Sequence, residues 1–250
     1  MKTVFSYLFL FAAGSTFGWI LEVFFRKFFS SQNPSHKWIN PGCFTGPYVP
    51  LYGLGLCILY SLCLIPINTD SVFLLIALRF CIFTVALTAL EFAAGILSIK
   101  VTKVRLWDYS QQKGNVLGII CPTFSVAWGA LGTLYAFFVH PYILNAVSDF
   151  FADVYLLFVL GLYFGVFAVD GAHTLGVIAK IKKFAADHQI VVMYEEFKAH
   201  ILDAAKENKE KLRYFHPLRT GSVLYENLKK YYDKVKERAD ALKEKVKQSK

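Results

Sequence analysis

Charge is scarce through the first two thirds of this 250-residue chain. Charged residues make up 18% of the whole, and most of them lie beyond residue 180. What fills the space is apolar: 56% hydrophobic, 17% aromatic, with a mean hydropathy of +0.44. That composition excludes an ordinary soluble domain and describes an integral membrane protein with a polar tail. Other things are missing too. The five cysteines form no CxxC and no Cys/His spacing, so neither a zinc site nor a disulfide framework is expected, and they read as small buried hydrophobes. No GxxxxGK[ST] phosphate loop occurs, so any ATP dependence must come from another subunit. Ser110 and the cysteines have no base beside them, which leaves nucleophilic catalysis without partners. No motif calls for a cofactor or a metal.

The net charge of +9 would suggest nucleic acid in a soluble protein. Here the basic residues flank apolar runs or lie in the tail, where they act as topology signals and lipid contacts rather than nucleic-acid ligands. The first run, Val4–Phe25, opens like a signal peptide but continues past Gly14 and Trp19 without a cleavage site, so it reads as a first transmembrane helix. Further spans are expected over Tyr48–Ile67, Val72–Ile99, Val116–Val139 and Phe150–Ile178. The first and third loops carry Arg26, Lys27, Lys37 and Lys100, Lys103, Arg105, Lys113. The second loop and the connector from His140 to Asp149 carry no Lys or Arg. By the positive-inside rule the amino terminus lies outside and the carboxyl terminus in the cytoplasm. The expected fold is therefore all-α: a polytopic membrane bundle of about five helices (1–180) in the bilayer, with a helical cytoplasmic tail (181–250). Tail helices are expected over Phe184–Tyr214 and Ser222–Lys247. Leu224, Leu228, Tyr231, Val235 and Leu242 form a heptad-like seam interrupted by Arg238 and Lys245.

The stretch Asn40–Gly55 breaks the pattern. It holds Pro41, Pro47, Pro50, Gly42, Gly46, Gly53 and Gly55, residues that remove backbone donors or favour positive φ. Irregular backbone at the membrane edge must be satisfied by protein or a wet cavity. This makes it a candidate site. Ionisable groups inside the spans also need explaining, because each costs about 2.5–3.5 kcal/mol in hydrocarbon. Glu22 reads equally as an i,i+4 ion pair with Arg26 or as a site residue. Arg79 should snorkel outward or meet Asp153. Glu91 and Asp170 lie about 14–15 Å above their basic clusters, at one depth, and suggest a shared polar site. For Asp170, a local hydrogen bond with His173 is the alternative. Gly14-x-x-x-Gly18 and Gly161-x-x-x-Gly165 are candidate helix-packing motifs.

The pattern Gly42-x-x-x-Gly46-Pro47-x-x-Pro50-x-Tyr52-Gly53-x-Gly55 resembles the second-helix signature of the ABC-transporter type IV permeases, the CmpB-like bacterial membrane family. Gly18-Trp19 with Glu22, Leu90-Glu91, Trp107-Asp108-Tyr109-Ser110, Asn115, Gly118 and Trp128-Gly129 extend the resemblance over residues 5–135. Where that family often has an arginine after the glycine matching Gly118, this chain has Ile119. The resemblance implies a multi-pass permease of the bacterial cell membrane with a separate ATPase subunit, and five spans suggest a homodimer. With the physical reading it points to a polar site for a small solute or lipid-like molecule, built from Glu22, Asn40, Gly42, Gly46, Pro47, Pro50, Tyr52, Gly53, Glu91, Trp107, Asp108, Tyr109, Asn115 and Trp128. Asp170 and His173 are secondary candidates. Two other readings stay open: a membrane enzyme acting on a lipid headgroup, with Glu91 and Asp108 as acid–base pair, and a scaffold that recruits a partner through its tail.

Overall fold

A computed structural model describes residues 2–30, 33, 36–150, 154–207 and 222–248. The helices are α1 (Lys2–Phe28), α2 (Pro50–Cys63), α3 (Val72–Leu97), α4 (Pro122–Leu134), α5 (His140–Phe150), α6 (Val154–Asp187), α7 (Tyr194–Glu207) and α8 (Ser222–Gln248). Two short strands, β1 (Val104–Arg105) and β2 (Val192–Met193), pair in parallel. Among the described residues, four apolar helical stretches are long enough to cross a membrane: Thr3–Phe28, Val72–Thr102, Pro122–Val147 and Val154–Asp187. Their outer surfaces are apolar as well. Phe73, Tyr155 and Phe158 are each more than 70% exposed, which suits hydrocarbon and not water.

The second expected span is a shorter helix. In place of Tyr48–Ile67, α2 covers Pro50–Cys63, about 21 Å at 1.5 Å per residue and short of the ~30 Å core. Both ends have a local cause. Pro50 occupies the first turn, where a missing N–H costs nothing, and Pro66 disfavours a helical residue before it. The open carbonyls at the far end are capped by Arg79, which donates to Leu62 O (2.5 Å), Cys63 O (3.4 Å) and Ile65 O (2.7 Å). Arg79 therefore neither snorkels free nor needs Asp153, which lies outside the described residues.

The fourth span starts later than expected and runs on through the supposed connector, because a π-turn (Tyr135–Val139) joins α4 to α5. Pro141 explains the turn: it offers no N–H to the preceding turn, and the widened loop absorbs the defect. Tyr135 and His140, bonded side chain to side chain at 3.1 Å, pin it. Glycine lets α3 and α4 meet. A Cβ on Gly129 would overlap Thr84 Oγ1, and one on Gly132 would crowd Phe83.

At 34 residues, or about 51 Å, α6 outruns the bilayer and carries into the tail. The tail helix expected to begin at Phe184 is thus two elements: α6 ends at Asp187, β2 intervenes, and α7 starts at Tyr194. Residues 208–221, including the expected turn at His216-Pro217, lie outside the described residues. The inner end of α6 (Val177, Ile181, Phe184), Val104, Val192, Phe197 and the seam residues Leu224, Leu228 and Tyr231 form one buried cluster. The seam therefore packs inside the chain and is not a coiled-coil face.

Candidate functional site

Three polar assemblies sit among these helices. The first is a corner around Glu91, which is buried on α3 and accepts hydrogen bonds from Tyr109 Oη (3.0 Å) and Trp128 Nε1 (3.0 Å). The Tyr109 ring stacks on Phe124 at 4.4 Å, and Tyr52 meets Trp128 edge-on at 5.6 Å. Both of Glu91's described partners are neutral. Tyr52 links the corner to α1 by donating to Glu22 Oε2 at 2.5 Å. It can approach that closely because residue 18 is glycine; a Cβ there would overlap the Tyr52 side chain.

The corner closes one end of a cavity of about 420 Å³ between α1, α2, α3 and α4. Apart from Glu91, Tyr52, Trp128 and Tyr135, the walls are aliphatic, aromatic or glycine. Phe17, Leu131 and Leu134 line the cavity and are themselves exposed on the outer apolar surface. The cavity therefore opens sideways.

The second assembly holds the irregular stretch. Val49 N donates to Ser15 O at 2.9 Å, and Ser15 lies about 16 Å along α1 from Arg26. The stretch thus runs into the membrane depth and does not stop at its edge. Asp170 supplies what such backbone requires: it accepts from Thr45 N (3.0 Å), Gly46 N (2.8 Å) and Tyr48 Oη (2.6 Å). Asn40 turns the entrance, accepting from Trp19 Nε1 at 2.6 Å and donating to Phe44 O and Thr45 O. Gly42 adopts φ +71°, a value that favours glycine. Glu91 and Asp170 therefore belong to separate assemblies with different partners. His173 is exposed, and Asp170 reaches Thr174 on its own helix at 3.4 Å.

The third assembly ties the tail to the bundle. Arg26 is buried between Glu22 (Nε to Oε1, 3.0 Å) and Glu195 of α7 (Nη1 to Oε2, 2.6 Å), and Ser30 Oγ donates to the other Glu195 oxygen at 2.8 Å. One turn along α7, the buried Lys198 donates to Asn40 O (2.9 Å) and Gly42 O (2.7 Å). Burial pushes its amine down to about 7, since a low-dielectric setting disfavours the charged form. Val192 N donates to Lys103 O at 3.1 Å, extending the β1–β2 pairing.

Of the residues expected in a site, Tyr52, Glu91, Tyr109 and Trp128 come together, with Glu22 reached through Tyr52. The others are placed elsewhere. Pro50 opens α2, Gly53 lies against Phe11 and Ser15 of α1, and Pro47 is exposed. Trp107 donates to Ile119 O at 2.8 Å. Asp108 pairs with Arg105 and Ser110, and Asn115 braces the same loop through Gly118 N. Ile119 is buried against Gly95. Gly14 and Gly18 face α2, whereas a Cβ at Gly161 or Gly165 would meet nothing within 4 Å among the described residues. Glu195 and Lys198 escape a reading of the sequence because Glu-x-x-Lys on a charged helix looks like an ordinary solvated pair. Among the described residues no group of three or more His, Cys, Asp or Glu is placed to hold a metal ion.

Residues 9–175 match the family described as "Putative ABC-transporter type IV". The chain belongs to this family. The match runs beyond residue 135, where the recognisable motifs stop, and takes in most of α6 with Asp170. No curated protein sequence and no solved structure matches the chain. Family membership and four spanning helices make this a membrane protein of the ABC-transporter type.

Proposed function

We propose that this chain is the membrane subunit of a transporter that binds a small amphiphilic or lipid-like molecule in the side-opening cavity, with its polar end at Glu91. The observation carrying this reading is a largely apolar cavity that ends on a buried carboxylate and two aromatic polar side chains. Binding sites of this kind are mostly apolar with a few fixed polar groups, and the open side gives direct access from the bilayer. The distribution of Lys and Arg supports an orientation with the basic loops and tail in the cytoplasm of a bacterial cell and the amino terminus outside. Glu91 then lies in the inner half of the bilayer. Energy would come from a separate ATPase, and a second copy of the chain would complete the usual pairing of permease halves.

The enzyme reading weakens because Asp108 is engaged with Arg105 and Ser110 and makes no described contact with Glu91. The scaffold reading weakens because the tail packs into its own membrane domain. The test is co-purification from native membranes followed by reconstitution. An ATPase that co-purifies, and whose hydrolysis in vesicles responds to added amphiphile, is the expected result. Repeated isolation without an ATPase, together with vesicles that move no amphiphile, would remove the proposal.

A further inference from the structure

Glu91 is 3% exposed, yet the two groups described around it, Tyr109 Oη and Trp128 Nε1, are neutral donors. The other carboxylates of the site region, Glu195 buried and Glu22 and Asp170 half-buried, are treated differently. Glu22 and Glu195 share Arg26, and Asp170 is met by two backbone N–H groups and a tyrosine. A carboxylate out of water with no cation is costly, and nothing in the local backbone requires one here. Its neighbours on the cavity wall are the rings of Tyr52 and Trp128, set edge to face at 5.6 Å. A carboxylate beside aromatic rings is the chemistry that recognises an organic cation. No lysine or arginine lies over either ring among the described cation–π contacts, which involve Phe28, Trp38, Phe83 and Tyr194.

The rest of the cavity defines the other end of the ligand. Along the fourth span it runs from Trp128 to Ile143, about 22 Å at 1.5 Å per residue. Its volume of about 420 Å³ is near the lower end of the ~300–1,000 Å³ typical of ligand pockets. Length with little volume suits one chain and not two. Resting on the reading that this cavity is the binding site, we infer that its ligand is a single-chain amphiphile with a cationic amine or quaternary ammonium head, the head against Glu91, Tyr52 and Trp128.

The test compares three radiolabelled probes with the same chain: dodecyltrimethylammonium, dodecanol and dodecanoate. Each is bound to the full-length protein in neutral-detergent micelles. Leu131→Trp, which fills the cavity from a wall position, defines the binding that belongs to the cavity. The expected result is at least tenfold tighter cavity binding of the cation than of the alcohol, with dodecanoate weakest, and loss of that preference in Glu91→Gln. The ranking of heads is read on the unaltered chain, and Leu131→Trp is used only when its thermal midpoint in the same micelles matches wild type; Leu134→Trp, at a second wall position, replaces it otherwise. If the alcohol or carboxylate binds as tightly as the cation, the inference about charge is overturned while the cavity remains a binding site. If no probe shows binding sensitive to Leu131→Trp, the cavity reading falls and takes the inference with it. With the preference established, lipid extracted from purified wild-type protein gives the source. A single-chain amine-headed lipid present there and absent from Leu131→Trp assigns the bilayer, and its absence assigns a soluble amphiphile.

Discussion

Glu195→Gln should release the tail helix from the membrane domain. Arg26 and Glu195 have side chains only 8% and 3% exposed, and their contact is 2.6 Å. With both charges present, desolvation and attraction roughly offset each other. With one removed, the survivor stays buried and under-compensated, which costs about 3–5 kcal/mol. Arg26 would keep Glu22 at 3.0 Å, so the lower half of that range applies if α7 stays in place. Alternatively α7 lifts and lets water reach the guanidinium. At about 1.4 kcal/mol per decade, the undocked population should rise by a hundredfold or more. The neighbouring Glu196→Gln is the control. Its partner Arg238 is at 2.7 Å, but the two side chains are 37% and 59% exposed, and an exposed pair is worth about 0–1 kcal/mol. Amide hydrogen exchange over Tyr194–Glu207 in lipid nanodiscs reads the difference. Fast exchange in the Glu195 variant with near-native exchange in the Glu196 variant is expected. Equal effects, or none in either, would refute the idea that the buried ion pair seats the tail.

Gly18→Ala should push Tyr52 off Glu22 and into the polar end of the cavity, lowering amphiphile binding by about tenfold, or ~1.4 kcal/mol, with little change in the fold; binding equal to wild type would show that the contact yields freely. Asp170→Asn removes charge-assisted bonds to Thr45 N and Gly46 N, worth about 1.5–3 kcal/mol each, and should speed maleimide labelling of Cys43 in that stretch; an unchanged rate would mean the loop holds without the charge. Arg79→Met uncaps three carbonyls at the end of α2 and should lower the thermal midpoint, each lost cap costing about 1–3 kcal/mol; an unaltered midpoint would show that water reaches those carbonyls. For Lys198 the amine is held at about 7 when docked and near 10.4 when free. Between those values the undocked form binds more protons, so docking should strengthen as pH rises from about 7 to about 10 and level off below 7; exchange of α7, corrected for its intrinsic pH dependence, should slow across that window, and acceleration there would contradict the assignment.

What the sequence made legible, and what it hid, divides along one physical line. Groups that are expensive in hydrocarbon announce themselves by being there at all: Glu91, Asp170, Arg79 and the proline- and glycine-rich stretch each turned out to have a specific partner or role. Their partners were harder to read. Asp170 satisfies backbone 124 and 125 residues away in the chain, and a backbone N–H leaves no mark in a sequence beyond the absence of proline. Arg79 serves carbonyls, which every residue carries. The docking residues of the tail were hidden for the opposite reason. In a segment already rich in Lys and Glu, a charge destined for burial is indistinguishable from one facing water. Nothing in Glu195-x-x-Lys198 differs locally from the exposed charges of α8. The distinction lies in Arg26, at the far end of a helix 169 residues earlier. Arg26 already had a plausible i,i+4 partner in Glu22, so it showed no visible need for another. Periodicity and charge depth reveal which residues need an explanation; only the packed chain shows which neighbour supplies it.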